Sequence, residues 1–334
     1  MIKSFYIYDT KQKNYRVTQN YVSIIRKALE ETGLECIDKD KLNIGLKNRA
    51  TGIVAIDTFH VIKAKICGYD PVIFWVQGAI PEESFYRRRS KIRRAMLTLI
   101  EKIALNCSDV VIFVSEEMRK HYLDKYGFVA KNYYIMPCFS TDFPTRFWWK
   151  RIKENIFLYA GSISSWQCFE ETVQLYKKIE DQYSNVRFLV MTSQKEQAKA
   201  ILERYAICNY EIGFADGEEY FNMISRCKFG FCLRKDDVVN NISTPTKFSD
   251  YIGHGIIPIY TKNTKDFYLK ANTNSFCLCI DDSDFWDKMN ELIQTDINMD
   301  ELYESYNLTF GNYYSKEYHV KSMKEMLLKA GIGN

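Results

Sequence analysis

The chain has 334 residues, 46% of them hydrophobic and only six of them proline. That is more than one typical core accommodates, so two domains of roughly 150 residues are expected, and the composition excludes a disordered chain. The net charge of +4 hides an asymmetry: residues 1–150 carry 25 Lys/Arg against 16 Asp/Glu, whereas residues 151–334 carry 21 against 26.

No run approaches the roughly 18 to 20 uncharged apolar residues of a membrane span. Met1–Tyr8 enters a strand-like alternation rather than a signal peptide, so an intracellular protein is expected. The ten cysteines agree: Cys36, Cys67, Cys107 and Cys232 sit in apolar runs, as reduced core thiols do. The four histidines lie near no C-x-x-C pair, so no metal site is expected.

Apolar, β-rich runs alternate with helical periods along the whole chain, the pattern of parallel sheets wound by helices. Predicted strands are Phe5–Tyr8, Gly52–Ile56, Val72–Val76, Val110–Val114 and Tyr133–Met136, separated by helices at Val22–Thr32, Thr58–Ile66, Phe85–Ala104 and Glu116–Tyr126. The segment Cys138–Asn155 fits neither period and is read as the linker, placed at 141–154. A second set follows: strands Ile156–Gly161, Val186–Met191, Tyr210–Ile212, Phe229–Leu233, Ile257–Tyr260 and Phe276–Ile280. Helices intervene at Phe169–Gln182, Gln194–Tyr205, Glu218–Ser225, Pro245–Gly253 and Phe285–Ile293. The expected fold is α/β, with two Rossmann-like domains (1–140 and 155–315) facing across a cleft. A last helix in 316–334 is free to pack back across the boundary.

The basic excess of the first half gathers in Arg87-Arg88-Arg89-Ser90-Lys91-Ile92-Arg93-Arg94, at the start of a predicted amphipathic helix. No nucleic-acid motif accompanies it, which leaves an anionic lipid surface or a solvated face. Ile92, Met96, Leu99, Ile100 and Ile103 follow at helical spacing, and most are expected to face the core.

Ligands of open parallel sheets bind beyond the carboxyl ends of strands. Four loops there are chemically distinctive. Gln77-Gly78-Ala79-Ile80-Pro81-Glu82-Glu83 combines close backbone approach at Gly78 with polar reach from Gln77 and Glu82; a turn followed by an acidic first helical turn is the alternative. Gly161-Ser162 follows a strand and precedes a helix, as an anion-cradling turn does. Phe214 lies in a loop that suits a nucleobase. Arg234-Lys235-Asp236-Asp237 offers a cation, or a solvated charge run.

The richest stretch is Thr244-Pro245-Thr246-Lys247-Phe248-Ser249-Asp250-Tyr251 with Gly255-Ile256-Ile257-Pro258. Thr244 suits an N-cap and Pro245 the first helical position. Phe248, Tyr251 and Ile252 form a buried stripe, with Lys247, Asp250 and His254 on the opposite face. A lysine at a helix start suits phosphate and the aspartate suits ribose hydroxyls, although a capped surface helix reads the same way.

With Val114-Ser115-Glu116-Glu117-Met118, Ile135-Met136-Pro137-Cys138 and Tyr159-Ala160-Gly161-Ser162, this stretch resembles the retaining, nucleotide-sugar-dependent glycosyltransferases of GT-B architecture, bacterial family four. The resemblance implies transfer of a sugar from a UDP- or GDP-sugar to a glycan or lipid-linked acceptor, with retention, in synthesis of a surface glycan such as capsule or lipopolysaccharide. It implies a cytoplasmic protein at the inner face of the membrane, with Arg87–Arg94 toward anionic lipid, and no cofactor, metal or nucleic acid. Thr246, Lys247 and Arg234 map onto the diphosphate site, Asp250 onto the ribose carboxylate, and Gly161, Ser162 and Phe214 onto the donor loops; Gln77 and Glu82 map onto acceptor positioning. The chain departs from the family at Ile242, where many members carry a second glutamate, and at Gln77, where histidine is frequent. A 2-epimerase of the same architecture and a non-catalytic binding subunit are the alternatives.

Overall fold

The computed structural model describes residues 4–8, 16–39, 41–42, 51–149 and 153–333. They form two units, one of Met1–Cys138, Ile242–Thr244 and Ser315–Asn334, the other of Phe139–Asn241 and Pro245–Tyr314.

The first unit opens with β1 (Ser4–Tyr8), α1 (Arg16–Glu30), β2 (Glu35–Lys39), β3 (Thr51–Ala55), α2 (Thr58–Ile66) and β4 (Val72–Val76). It continues with α3 (Ile80–Arg88), α4 (Lys91–Asn106), β5 (Val110–Phe113), α5 (Glu116–Tyr126) and β6 (Tyr133–Ile135). All six strands pair in parallel in the order β2-β1-β3-β4-β5-β6. Helices cover both faces of such a sheet, so its central strands read as unbroken apolar runs; β4 and β5 are buried throughout. β2 escaped the sequence reading because Glu-Cys-Ile-Asp-Lys is an exposed edge strand with no apolar period.

The helix expected over Phe85–Ala104 is two helices. Arg89 takes a left-handed conformation at φ 53°, and Ser90 caps α4 by accepting from the Arg93 N–H at 3.3 Å. The break sets the rotation of α4, which buries Leu97, Glu101, Ala104 and Leu105. Ile92, Met96, Leu99 and Ile103, expected mostly in the core, are therefore exposed. A polar network decides the choice of face. Glu101 is 1% exposed and accepts from Tyr126 Oη at 2.7 Å, Lys125 Nζ at 3.0 Å and Tyr122 Oη at 3.2 Å.

The second unit contains β7 (Glu154–Ala160), α6 (Phe169–Gln182), β8 (Arg187–Met191), α7 (Lys195–Arg204), β9 (Tyr210–Gly213), α8 (Gly217–Ile224) and β10 (Cys227–Cys232). After α9 (Val238–Ile242) come α10 (Lys247–Gly253), β11 (Ile257–Tyr260), α11 (Lys265–Ala271), β12 (Leu278–Cys279), α12 (Phe285–Gln294) and α13 (Met299–Phe310). Its parallel order, β12-β11-β10-β7-β8-β9, is the doubly wound dinucleotide-fold order, with the reversal between β7 and β10. Phe157 and Phe229 stack across those two strands with centroids 4.6 Å apart.

The stretch read as a linker carries buried Phe143, Phe147 and Trp148; Phe143 and Trp148 pack against Tyr303 and Tyr306 of α13. Residues 150–152 of that stretch lie outside the described residues. The last helix, α14 (Lys316–Lys329), belongs to the first unit and packs against α1. Among the described residues no helix is long and apolar enough to cross a membrane.

Candidate functional site

In the second unit a pocket of about 390 Å³ opens beyond the carboxyl ends of β7, β8 and β9. Gly161 and Ser162 follow β7, Thr192 follows β8 and Phe214 follows β9; Tyr220, Thr246, Lys247 and Asp250 complete the wall. This is where a doubly wound sheet leaves its crevice, because the connections from β7 and β10 depart in opposite directions.

Lys247 is aimed by the packing of α10. Tyr251 lies against Gly230 of β10, where a Cβ would come within 2.8 Å of the ring, and donates to the Phe231 carbonyl at 3.0 Å. The first residue of α10 thereby reaches the β7 loop. Its Nζ donates to Gln167 Oε1 at 2.8 Å and stands 4.5 Å from the Tyr159 ring centroid. Gly161 has φ 145°, and a Cβ there would lie 2.9 Å from the ammonium. Glycine is required twice over, by conformation and by space.

Burial pulls the Lys247 ammonium down to about 7, and Arg234 nearby adds like-charge repulsion. Arg234 is 6% exposed and does not line the pocket. Its Nη1 donates to its neighbour's carbonyl, Leu233, at 2.7 Å, and among the described residues it forms no ion pair. Lys247 forms no ion pair with a described residue and has the like charge of Arg234 nearby, so its ammonium gains from an anion in the pocket, whose wall also carries the carboxylates of Asp216 and Asp250.

Several details differ from the sequence reading. Thr244 does not cap α10: its Oγ1 accepts from the Cys138 N–H at 2.8 Å, and the helix starts after Thr246, which makes no side-chain cap bond. The segment is not a surface helix, since Phe248 through Gly253 are all buried. His254 is fully buried, stacked on Phe147 and Phe221, with its ring held down to about 4 by burial. Asp250 lines the pocket while accepting from Ser140 Oγ at 2.6 Å and Tyr220 Oη at 3.4 Å. Of the Arg234–Asp237 run only Arg234 is buried; Lys235 and Asp236 are exposed, as in a solvated charge run, with Lys235 paired to Glu171 at 2.7 Å, Asp236 accepting from Asn241 and Asp237 from Asn240.

The first unit has its own cavity, about 270 Å³, beyond β3 and β4. Gln77 and Gly78 line it together with Asp57, Glu83 and Glu101. Glu82 does not. It is buried and held by Lys125 at 2.9 Å and Arg94 at 3.4 Å. Glu83, in the same loop but not the carboxylate expected to reach the ligand, lines the cavity instead, its Oε1 hard against Gly78. Burial raises the Glu83 carboxyl above its usual range, with Arg87 opposing and Glu101 adding to the rise. Adjacent residues on a helix diverge by about 100°, and only the start of α3 at Ile80 decides which one faces Gly78. Among the described residues no group of three or more His, Cys, Asp or Glu could hold a metal ion.

No family model and no curated protein matches this sequence. Solved structures do match its fold. Sucrose-phosphate synthase from Thermosynechococcus elongatus superimposes with a TM-score of 0.66 at 11% identity, over 98% of each chain. A glycosyltransferase from Rickettsia africae gives 0.64 at 11% identity over 100% of both chains. TarM of S. aureus, determined with UDP, gives 0.60 at 10% identity over 84% of this chain. The chain spans 55% of that TarM chain and 60% of the GtfA/B chain it also matches. These neighbours are glycosyltransferases of GT-B architecture, and the two six-stranded parallel sheets have that fold.

Proposed function

We propose that the chain is a glycosyltransferase that moves a sugar from a nucleoside diphosphate donor, UDP- or GDP-linked, to a glycan or lipid-linked acceptor with retention of configuration. The observation that carries this reading is the buried Lys247 ammonium at the switch-point pocket, beside Gly161 and without an ion pair among the described residues. The diphosphate would sit against Lys247, Gly161 and Thr246, the ribose near Asp250 and the base beside Phe214, which is 60% exposed at the pocket mouth.

In the transfer, the acceptor oxygen bonds to the anomeric carbon as the carbon–oxygen bond to the diphosphate breaks. The acceptor proton passes to the departing phosphate. The protein's part is to stabilise the charge that grows on that phosphate, Lys247 from the pocket wall and Arg234 through its charge from behind it, and to place the acceptor. Gln77 and Glu83 of the first unit's cavity supply polar contacts for the acceptor. Synthesis of a bacterial surface glycan at the cytoplasmic face of the membrane fits a lipid-linked acceptor.

Binding without turnover is the second reading. It is favoured by Ile242, an apolar side chain buried in the first unit's core where the resembled family carries a carboxylate. Incubation with a panel of nucleotide sugars separates the two: release of UDP or GDP with an acceptor present supports transfer. Binding alone supports the second reading, and conversion of a donor to its 2-epimer contradicts both.

A further inference from the structure

We infer that the pocket of the second unit selects guanine over uracil, so that the donor is a GDP-linked sugar, and that Asp216 makes the selection by accepting from the base edge. The inference rests on the nucleotide reading above and narrows it to one base.

Beyond β8 and β9 the pocket wall combines buried Met191 with the exposed ring of Phe214, an apolar and aromatic surface on which a base can stack. Stacking of this kind accepts every base, because each has a π-face. Asp216 is able to discriminate. It follows Phe214 and Ala215 in the loop after β9 and lines the same wall. Its Oδ1 caps α8 by accepting from the Gly217 N–H at 3.0 Å, which fixes the carboxylate and occupies one of about four lone-pair sites. Asp216 forms no ion pair with a described residue, whereas Glu218 on the same helix meets Arg146 at 2.6 Å. Asp250, the other carboxylate of the wall, is engaged by Ser140 and Tyr220.

An ionised carboxylate only accepts hydrogen bonds, so the donors on the base edge decide the match. Guanine presents two adjacent donors, its N1–H and its 2-amino group, spaced to meet the two oxygens of one carboxylate. Uracil presents a single N–H between two carbonyl oxygens, and a carboxylate repels both. A helix cap alone would also account for an aspartate at this position. Asparagine separates the two roles: it caps a helix as well as aspartate does, but it replaces one acceptor oxygen by an amino group that faces the guanine donors.

The test is isothermal titration of GDP, UDP and inosine diphosphate, which is GDP without the 2-amino group, into the full chain and into Asp216→Asn. The parent should bind GDP at least about tenfold more tightly than either of the others, since charge-assisted bonds are the stronger ones. Asp216→Asn should lose that margin while keeping the parent's melting temperature, because the cap is retained. Binding of UDP by the parent as tightly as GDP overturns the inference and leaves the nucleotide reading standing. A GDP margin unchanged in Asp216→Asn overturns it as well, by removing Asp216 from the selection. Binding of none of the three by the parent overturns the inference together with the nucleotide reading on which it rests.

Discussion

Lys247 is a lysine that the folded chain holds close to neutrality at physiological pH, and this has two consequences that can be measured. A diphosphate drawn into the pocket restores the charged form, so binding takes up protons. With the free group titrating at about 7, uptake should approach one proton per site at pH 8 and fall toward zero at pH 6, read by calorimetry in buffers of different ionisation heat. The second consequence is for stability. The unfolded lysine titrates near 10.5, so between about 7 and 10.5 the unfolded state holds the extra proton, and stability rises with pH through that window. Lys247→Met should therefore stabilise the protein most below pH 7, with the gain fading toward pH 10.5. Gly161→Ala joins backbone strain at φ 145° to a contact with the ammonium. It should cost about 1–3 kcal/mol of stability and lower nucleotide affinity by displacing Lys247 from Gln167.

At the scale of elements, legibility followed burial. β4 and β11 were read to the residue because they are continuous apolar runs in the middle of parallel sheets. β2 is an exposed edge, and α11 and α13 lack a clean amphipathic period beside their many aromatics, so periodicity did not reveal them. In the candidate site, Lys247 and Gly161 could be picked out because a lysine after Thr-Pro-Thr and a glycine after a strand are local signals. Glu83 could not be told from Glu82, nor could the outward face of α4 be told from its inward one, since both depend on where a helix starts. The buried Lys125–Glu82–Glu101 network that fixes α4 has a testable weight. Lys125→Met removes the cation shared by two buried carboxylates, leaving Glu82 only Arg94 and Glu101 only its tyrosines, and should destabilise the first unit by about 3–5 kcal/mol in chemical denaturation.

For the molecule as a whole, the two units should respond to pH in opposite senses. In the second unit burial lowers Lys247, Lys153 and His254. The unfolded chain then binds more protons, from about pH 4 upward for His254, and stability of this unit falls as pH drops from about 6.5 to 4. In the first unit burial raises Glu83 and Glu101 above the ordinary carboxylate value of 4.5. Those groups favour the folded state as pH falls toward 4.5, since there the folded chain binds the extra protons. Calorimetric melting at pH 5 and pH 7.5 should show the second unit's transition moving down in acid relative to the first's.

The most direct test of the central claim, a nucleoside diphosphate pocket built on Lys247 and Asp250, is isothermal titration of UDP and GDP into the parent, Lys247→Ala and Asp250→Ala. The account predicts binding of one of the two nucleotides by the parent, without added metal. It predicts a loss of at least about tenfold in Lys247→Ala, because charge-assisted contacts to phosphate are among the stronger hydrogen bonds, and weaker binding in Asp250→Ala through the ribose. Affinity unchanged in both variants, or no binding of either nucleotide by the parent, would contradict it.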